Sequence, residues 1–376
     1  MKPDLVDFDT LDIIPQMKPW LGEDEREAVA GVVASGWITE GPQTEAFGAE
    51  LNAMMGARFG VFAPNGTLAL SLGLMALGIG PGDEVLIPDT TFAGSATAVL
   101  MVGATPVFVE VDRLDFQIDI ADAQRAVTPR TRAVMPVHLY GGMCDMTALG
   151  AFAARNGLLV VEDAAQAIGV RQDGRDAGTF GDVGCFSFFA DKTITTGEGG
   201  YVVCRDADVH SKLLHLRNQG RLDWGSFIHD EIGYNMRITE MKSTIGRVQL
   251  RKLDAIVAAK RAHHTAFCSA FDGLETVRVM SGAPGSSFVP FRCVLMAERA
   301  HELMAWLEAR KIKARTVFAP LHRQPCFAEL HLGAPSDRRF LNSIYAFEHG
   351  VCLPVFPELT LEQIARIVRT IVEFHR

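Results

Sequence analysis

No stretch of the chain approaches the ~18 consecutive apolar residues that a membrane-spanning helix needs. The opening residues, Met-Lys-Pro-Asp-Leu-Val-Asp-Phe-Asp, are acidic and have no apolar core of the kind a secretory signal carries, so a cytoplasmic protein with no membrane partner is expected. Positive charge is in short supply. Lys and Arg number 36 against 45 Asp and Glu, a formal net charge of -9, which leaves no basic stripe for a phosphate backbone and excludes nucleic acid as a partner. The seven cysteines are odd in number, with no CxxC pair and no metal-ligand spacing, so they read as reduced core thiols and no metal site is expected. Internal repeats and low-complexity segments are absent as well. The one glycine cluster that suggests a dinucleotide loop, at positions 78–82, follows a helical pattern and precedes a strand. A Rossmann loop needs the opposite order, so the cluster is a turn and a nicotinamide-dependent oxidoreductase is excluded.

What is present is an ordinary globular composition, 48% hydrophobic and 22% charged, in a chain of 376 residues. That length predicts a large domain followed by a smaller one, here divided as 1–250 and 251–376, with the segment 1–22 belonging to the first. From position 59 onward, short β-branched runs alternate with helical patterns: strands near 60–63, 84–88, 106–111, 133–137 and 158–162, and helices near 67–77, 93–102 and 146–156. Such alternation implies an α/β domain with a mostly parallel sheet, whose ligands bind at the carboxyl ends of the strands. Further on, a long helical pattern starts near 241. After it, a strand–helix–strand unit over 288–295, 299–310 and 313–318, with a last helix over 361–374, predicts a small α+β domain.

The centre of the chain is the segment 182–204, in which two apolar strand-like runs flank a polar loop carrying Lys192. A lysine held against apolar walls loses hydration, its pKa falls, and its amine becomes nucleophilic, as Schiff-base chemistry requires. Taken alone, the same lysine also fits an ordinary solvated loop position. Three other loops after strands carry polar groups. Asn65-Gly66-Thr67 opens a helix, where it either caps that helix or receives a phosphate. Asp163 ends a buried strand, where a carboxylate needs a cation; a protonated pyridine nitrogen would serve, and so would a helix terminus. Gly233-Tyr234-Asn235-Met236-Arg237 precedes the long helix and suits anion contact, although Thr239 as a cap explains it locally. Trp37, between Gly36 and Gly41-Pro42, either lines a site or staples its loop, and His322 either faces a site or sits on the surface.

Together these stretches resemble the sugar aminotransferases of the DegT type, pyridoxal 5'-phosphate enzymes of fold type I. The carrying residues are Asn65-Gly66-Thr67, Glu162-Asp163-Ala164-Ala165-Gln166, the run 187–200 around Lys192, and Gly233-Tyr234-Asn235-Met236-Arg237. The resemblance extends from Pro15 to the C-terminus. It implies Lys192 as the lysine that bonds the cofactor and shuttles the proton, and Asp163 as the partner of the pyridine nitrogen. Gly66, Thr67 and Ser187 would hold the phosphate, Phe92 would stack on the ring, and Gln166 would sit near its phenolic oxygen or over the ring. Asn235 would reach the phosphate of a neighbouring subunit, which implies a homodimer with shared sites. Trp37, Tyr234, Arg237 and His322 become candidates for contacts with a nucleotide-linked keto sugar or with L-glutamate as donor. Sugar selectivity is expected in the loop 219–225 and around His322. Two departures stand out: Asp191 occupies a position that is usually asparagine, and Phe92 one that is often tyrosine. Relatives that act as dehydratases carry histidine in place of the lysine, so Lys192 argues against that reaction. A non-catalytic cofactor-binding regulator is the other alternative, disfavoured by the lack of a DNA-binding helix pair.

Overall fold

The computed structural model describes residues 12–221, 227–283, 285–330, 332 and 337–376. Most of the 219–225 loop, and the residues before Asp12, lie outside them. The predicted alternation folds into one seven-stranded sheet. Its spatial order is Phe59–Ala63, Gly200–Cys204, Val183–Ser187, Leu159–Asp163, Thr131–Val134, Glu84–Pro88 and Thr105–Val109. The last five are parallel to one another, and Gly200–Cys204 runs antiparallel to both of its neighbours. The sheet is therefore mostly parallel, as expected.

Because successive strand residues face opposite sides, each strand feeds two cores. Phe62, Phe186 and Val203 join Phe47, Leu51 and Phe152 on one face, while Val61, Cys185 and Val202 join Leu70, Leu72 and Val99 on the other. The same alternation separates the two acids at the end of Leu159–Asp163. Glu162 is fully buried away from the cavity, where it meets His138 Nε2 at 2.9 Å and accepts from Gly178 N and Gly181 N. Asp163 faces the other way.

The long helix that was expected from near 241 is Glu240–Phe271, 32 residues, so it runs across the 250/251 division. It packs on the helices Glu23–Ser35 and Pro42–Met55, and it also touches the C-terminal helix Leu361–Phe374. Gly246 permits the approach to Pro42–Met55, since a Cβ there would lie 2.3 Å from the Phe47 ring. Pro42–Met55 has no side-chain cap of its own. Glu240 supplies one from 197 residues away: Oε1 accepts from Gly41 N (2.9 Å), Thr44 N (2.9 Å) and Thr44 Oγ1 (2.8 Å), and Oε2 accepts from Gln43 N (2.8 Å). Glu240→Ala would leave these buried donors without partners. A loss of about 2–4 kcal/mol is expected, read as a lowered urea midpoint with an unchanged slope.

The C-terminal portion builds a four-stranded antiparallel sheet, ordered Val277–Val279, Cys293–Ala297, Gly350–Leu353 and Arg315–Thr316, covered by helices including Ala300–Ala309 and Leu361–Phe374. Two strands are shorter than predicted and two were missed. Pro290 has no N–H for a ladder, so the run 288–295 becomes a strand only from Cys293. Gly350–Leu353 is a short apolar run directly behind the helix Leu341–His349, and periodicity alone could not separate the two.

Candidate active site

Residues at the carboxyl ends of four strands of the large sheet border one cavity of about 760 Å³. After Phe59–Ala63 come Asn65, Gly66 and Thr67; after Glu84–Pro88, Thr91 and Phe92; after Leu159–Asp163, Ala165 and Gln166; after Val183–Ser187, Phe189, Asp191 and Lys192. The C-terminal portion closes the remaining wall with Phe291, Arg292, Arg315 and Phe318. Backbone contacts hold this wall in place. Val289 N donates to Gly141 O and Phe291 N to Tyr140 O, while the Tyr140 hydroxyl accepts from Phe318 N at 3.0 Å. Tyr140 adopts a left-handed φ of 55°, a conformation that costs a non-glycine residue energy and gathers at functional sites.

Lys192 is partly buried on the cavity wall, and its Nζ lies 4.8 Å from the centroid of the Phe291 ring. Burial lowers its pKa below the ordinary lysine range; Asp191 and Asp163 oppose that shift, and Arg292 adds to it. The solvated-loop alternative does not describe this lysine. Asp163 is 5% exposed, with Oδ2 accepting from Ser95 Oγ at 2.8 Å and Oδ1 from Ala165 N at 3.1 Å. Burial raises its pKa, only partly countered by those donors, and no cation of the described residues forms an ion pair with it. A buried carboxylate that faces a cavity with no cation paired to it fits a protonated ring nitrogen.

At the other end, Gly66 opens the helix Gly66–Ala76, and Asn65 caps it through Oδ1 and Leu68 N. A Cβ on Gly66 would come within 2.8 Å of Ser187 Cβ, so glycine is what keeps this cradle open between a helix N-terminus and the Ser187 and Thr67 hydroxyls. Gln166 accepts from Tyr140 N at 2.8 Å, which fixes its amide at the cavity edge. Phe92 is 61% exposed toward the cavity mouth, 6.0 Å from the Phe318 ring. A carboxylate, a lysine, an aromatic and an open phosphate cradle thus line one cavity, and the donor set fits pyridoxal 5'-phosphate.

The other candidates lie elsewhere in the chain. Trp37 does not line this cavity; its Nε1 donates to Glu40 O at 3.1 Å, so it staples its own loop. His322 is neither a surface residue nor a cavity residue. It is 6% exposed, with its N–H donating to Asp89 Oδ1 and its Nδ1 2.7 Å from Asp89 Oδ2, while Nε2 lies 3.0 Å from Asp337. Its pKa is raised because these carboxylates outweigh burial. Tyr234 and Asn235 are exposed, and Arg237 donates to Asn218 Oδ1; none of the three borders the cavity of its own chain. Sequence reasoning missed Ser95, Arg292, Arg315 and Tyr140. Arg292 did leave a signal, as one charged residue inside the apolar run 288–295.

Residues 19–372 match the DegT/DnrJ/EryC1/StrS aminotransferase family. The chain belongs to that family. It is a pyridoxal 5'-phosphate-dependent aminotransferase with the fold of that enzyme class. It is 36% identical to the GDP-perosamine synthase of Escherichia coli O157:H7, over 96% of this chain and 98% of the relative. It is 40% identical to a UDP-N-acetyl-3-dehydro-alpha-D-glucosamine 3-aminotransferase of Acidithiobacillus ferrooxidans, over 88% of each. Among solved structures, Streptomyces venezuelae DesV in complex with a ketimine intermediate superposes with a TM-score of 0.92 at 35% identity, over 97% of this chain and 99% of that one. Among the described residues of this aminotransferase, no helix is long and apolar enough to cross a membrane, and no cluster of His, Cys, Asp and Glu could hold a metal.

Proposed function

We propose that this aminotransferase moves the amino group of L-glutamate onto a keto sugar carried by a nucleotide, with a GDP-4-keto-6-deoxymannose-type acceptor giving GDP-perosamine. The observation that carries the reaction type is Lys192 and the unpaired Asp163 facing one cavity at the strand ends. The sugar rests on likeness. The runs Pro136-Val137-His138-Leu139-Tyr140-Gly141 and Cys144-Asp145-Met146 look closest to GDP-perosamine synthases, and the relatives bearing that name match nearly end to end. UDP- and dTDP-sugar relatives at similar identity support a second reading, amination of another 3-keto or 4-keto sugar.

When bound, pyridoxal phosphate supplies an electron sink for the carbon that exchanges an amino group and a proton. The chain's own residues do the rest. Asp163 would hold a positive charge at the ring nitrogen, and Ser95 and Ala165 N keep that carboxylate aimed. Gly66, Thr67 and Ser187 would hold the phosphate, Phe92 would lie against the ring, and Gln166, set by Tyr140 N, would border it. Lys192, nucleophilic because burial favours its neutral form, would bind the cofactor and carry the proton at Nζ. Initial rates with glutamate across GDP-, UDP- and dTDP-linked 3-keto and 4-keto sugars test the reading. The GDP-4-keto-6-deoxymannose acceptor is expected to give the highest kcat/KM; a dTDP- or UDP-linked sugar ahead of it by tenfold would sink that assignment.

Asn235 serves the neighbouring subunit in a homodimer, a reading supported by its exposure beside a run of exposed apolar side chains: Phe227 (87%), Ile228 (72%) and Ile232 (83%). Two damaged chains should then complement each other. Mixed Lys192→Ala and Asn235→Asp subunits should form heterodimers in which one site carries both defects and the other none. Recovery of up to about a quarter of wild-type activity is expected after exchange, because random pairing gives about half heterodimers with one intact site each. A mixture as inactive as its parents, with exchange shown by mass spectrometry, would mean that Asn235 acts only within its own chain.

A further inference from the structure

Asp191 stands beside Lys192 where enzymes of this type usually carry asparagine, and the structure gives it a partner that the sequence pattern did not suggest. Its Oδ2 forms an ion pair with Arg292 Nη2 across 101 residues. Arg292 is only 5% exposed, and a buried guanidinium is tolerated only when paired. The pairing is incomplete. Arg has five N–H donors, yet among the described residues Asp191 is its one hydrogen-bond partner, and the rest of the group borders the cavity. Its Cζ lies 4.6 Å from the centroid of Phe291, the ring over which Lys192 Nζ also lies, so the fixed cation stands one aromatic ring from the lysine. A second guanidinium, Arg315, lines the same cavity with no hydrogen bond or ion pair to any described residue.

Two arginines with open donors in the cavity of the reacting lysine call for an anion that arrives there. The cofactor phosphate would have its own cradle at Gly66, Thr67 and Ser187, at the strand ends of the large sheet, whereas Arg315 lies in the antiparallel sheet and Arg292 directly precedes its strand Cys293–Ala297. A keto sugar carries its diphosphate at the anomeric carbon, several bonds from the carbonyl that reacts. Glutamate is different: its α-carboxylate is attached to the carbon whose amine must reach the lysine's position, and its second carboxylate is a short chain away. Planar bidentate recognition of carboxylates is what guanidinium groups do best. We propose that Arg292 and Arg315 form the carboxylate-binding subsite of the amino donor, and that Asp191 is a positioning residue that holds Arg292 in the cavity wall. The assignment rests on the glutamate-dependent reaction proposed above.

The test uses the cofactor-loaded enzyme and glutarate, which has glutamate's two carboxylates and chain length but no amine. Glutarate binding is measured by calorimetry in wild type, Arg315→Met, Asp191→Asn and the double variant Asp191→Asn/Arg292→Gln. The double variant removes both charges together, so no buried ion is left alone. The expected result is a Kd raised tenfold or more in the double variant and in Arg315→Met, and several-fold in Asp191→Asn, whose unpaired Arg292 should also lower the melting temperature. The KM for glutamate in the half-reaction, followed by loss of the cofactor's visible absorbance, should rise in parallel while kcat changes less. Affinity for free GDP and UDP should stay within twofold. Glutarate affinity within twofold of wild type in both arginine variants would overturn the subsite while leaving the aminotransferase reading intact. So would a loss that falls on GDP or UDP instead. A wild-type holoenzyme whose absorbance never responds to glutamate would overturn the donor itself, an outcome that the variants cannot imitate.

Discussion

Lys192→Ala is expected to lower turnover by about 10³-fold or more, because one amine serves both as the nucleophile that bonds the cofactor and as the base that moves the proton. The environment of Lys192 supports both tasks. Burial lowers its pKa below the ordinary lysine range, which favours the neutral amine, while Asp191 and Asp163 favour the ammonium. The substitution removes no hydrogen bond among the described residues, so the fold should persist. The check is twofold: initial rates with glutamate and acceptor, and borohydride treatment, which should fix the cofactor covalently to wild type and leave it extractable from the variant. An alanine variant with normal rates, or one that still retains cofactor after borohydride, would remove Lys192 from the mechanism.

Asp163→Asn should reduce turnover by about 10²-fold or more, since an amide of the same shape cannot hold a proton on the ring nitrogen. Stability should move in the opposite direction, and the sign follows from the direction of the pKa shift. Burial raises the native pKa of Asp163 above its ordinary 3.8, so in the cofactor-free protein its contribution is fully favourable below that ordinary value and is lost as pH rises through the native one. Above the native pKa the free protein holds a buried charge that it resists, and asparagine relieves it. Cofactor-free Asp163→Asn is expected to melt at or above cofactor-free wild type at pH 7. Added pyridoxal phosphate should raise the melting temperature of wild type more than that of the variant. If the cofactor-free variant melts well below wild type, and its activity stays within about twofold of wild type, the carboxylate is only a structural cap.

Local pattern was enough for the parts of this protein that local physics controls. Strand runs alternating with helical periods establish a mostly parallel sheet, because the side-chain periods of 2 and 3.6 are written into neighbouring residues. The rule that ligands gather at the carboxyl ends of such strands singled out Gly66, Thr67, Asp163 and Lys192, the family resemblance added Phe92, Gln166 and Ser187, and all seven line one cavity. Each sits directly behind a strand, where its position follows from its own segment of chain. The C-terminal strands were less legible. They are short and interrupted, as at Pro290, and paired with partners far away in sequence.

The remaining decisions needed the folded chain because they depend on groups distant in sequence. His322 looked like a site residue or a surface residue, and its actual place was set by Asp89, 233 residues away. Which of the adjacent acids Glu162 and Asp163 meets the cavity followed from what covers each face of the strand: His138 and the amides of Gly178 and Gly181 on one side, open space on the other. Asp191 stood out only as a departure from asparagine, and its partner Arg292, directly before a strand of the other sheet, came to rest against it in the folded chain. A buried charge acquires meaning only from its partner, since it is the pairing that offsets desolvation, and no periodicity along a chain encodes a partner a hundred residues distant.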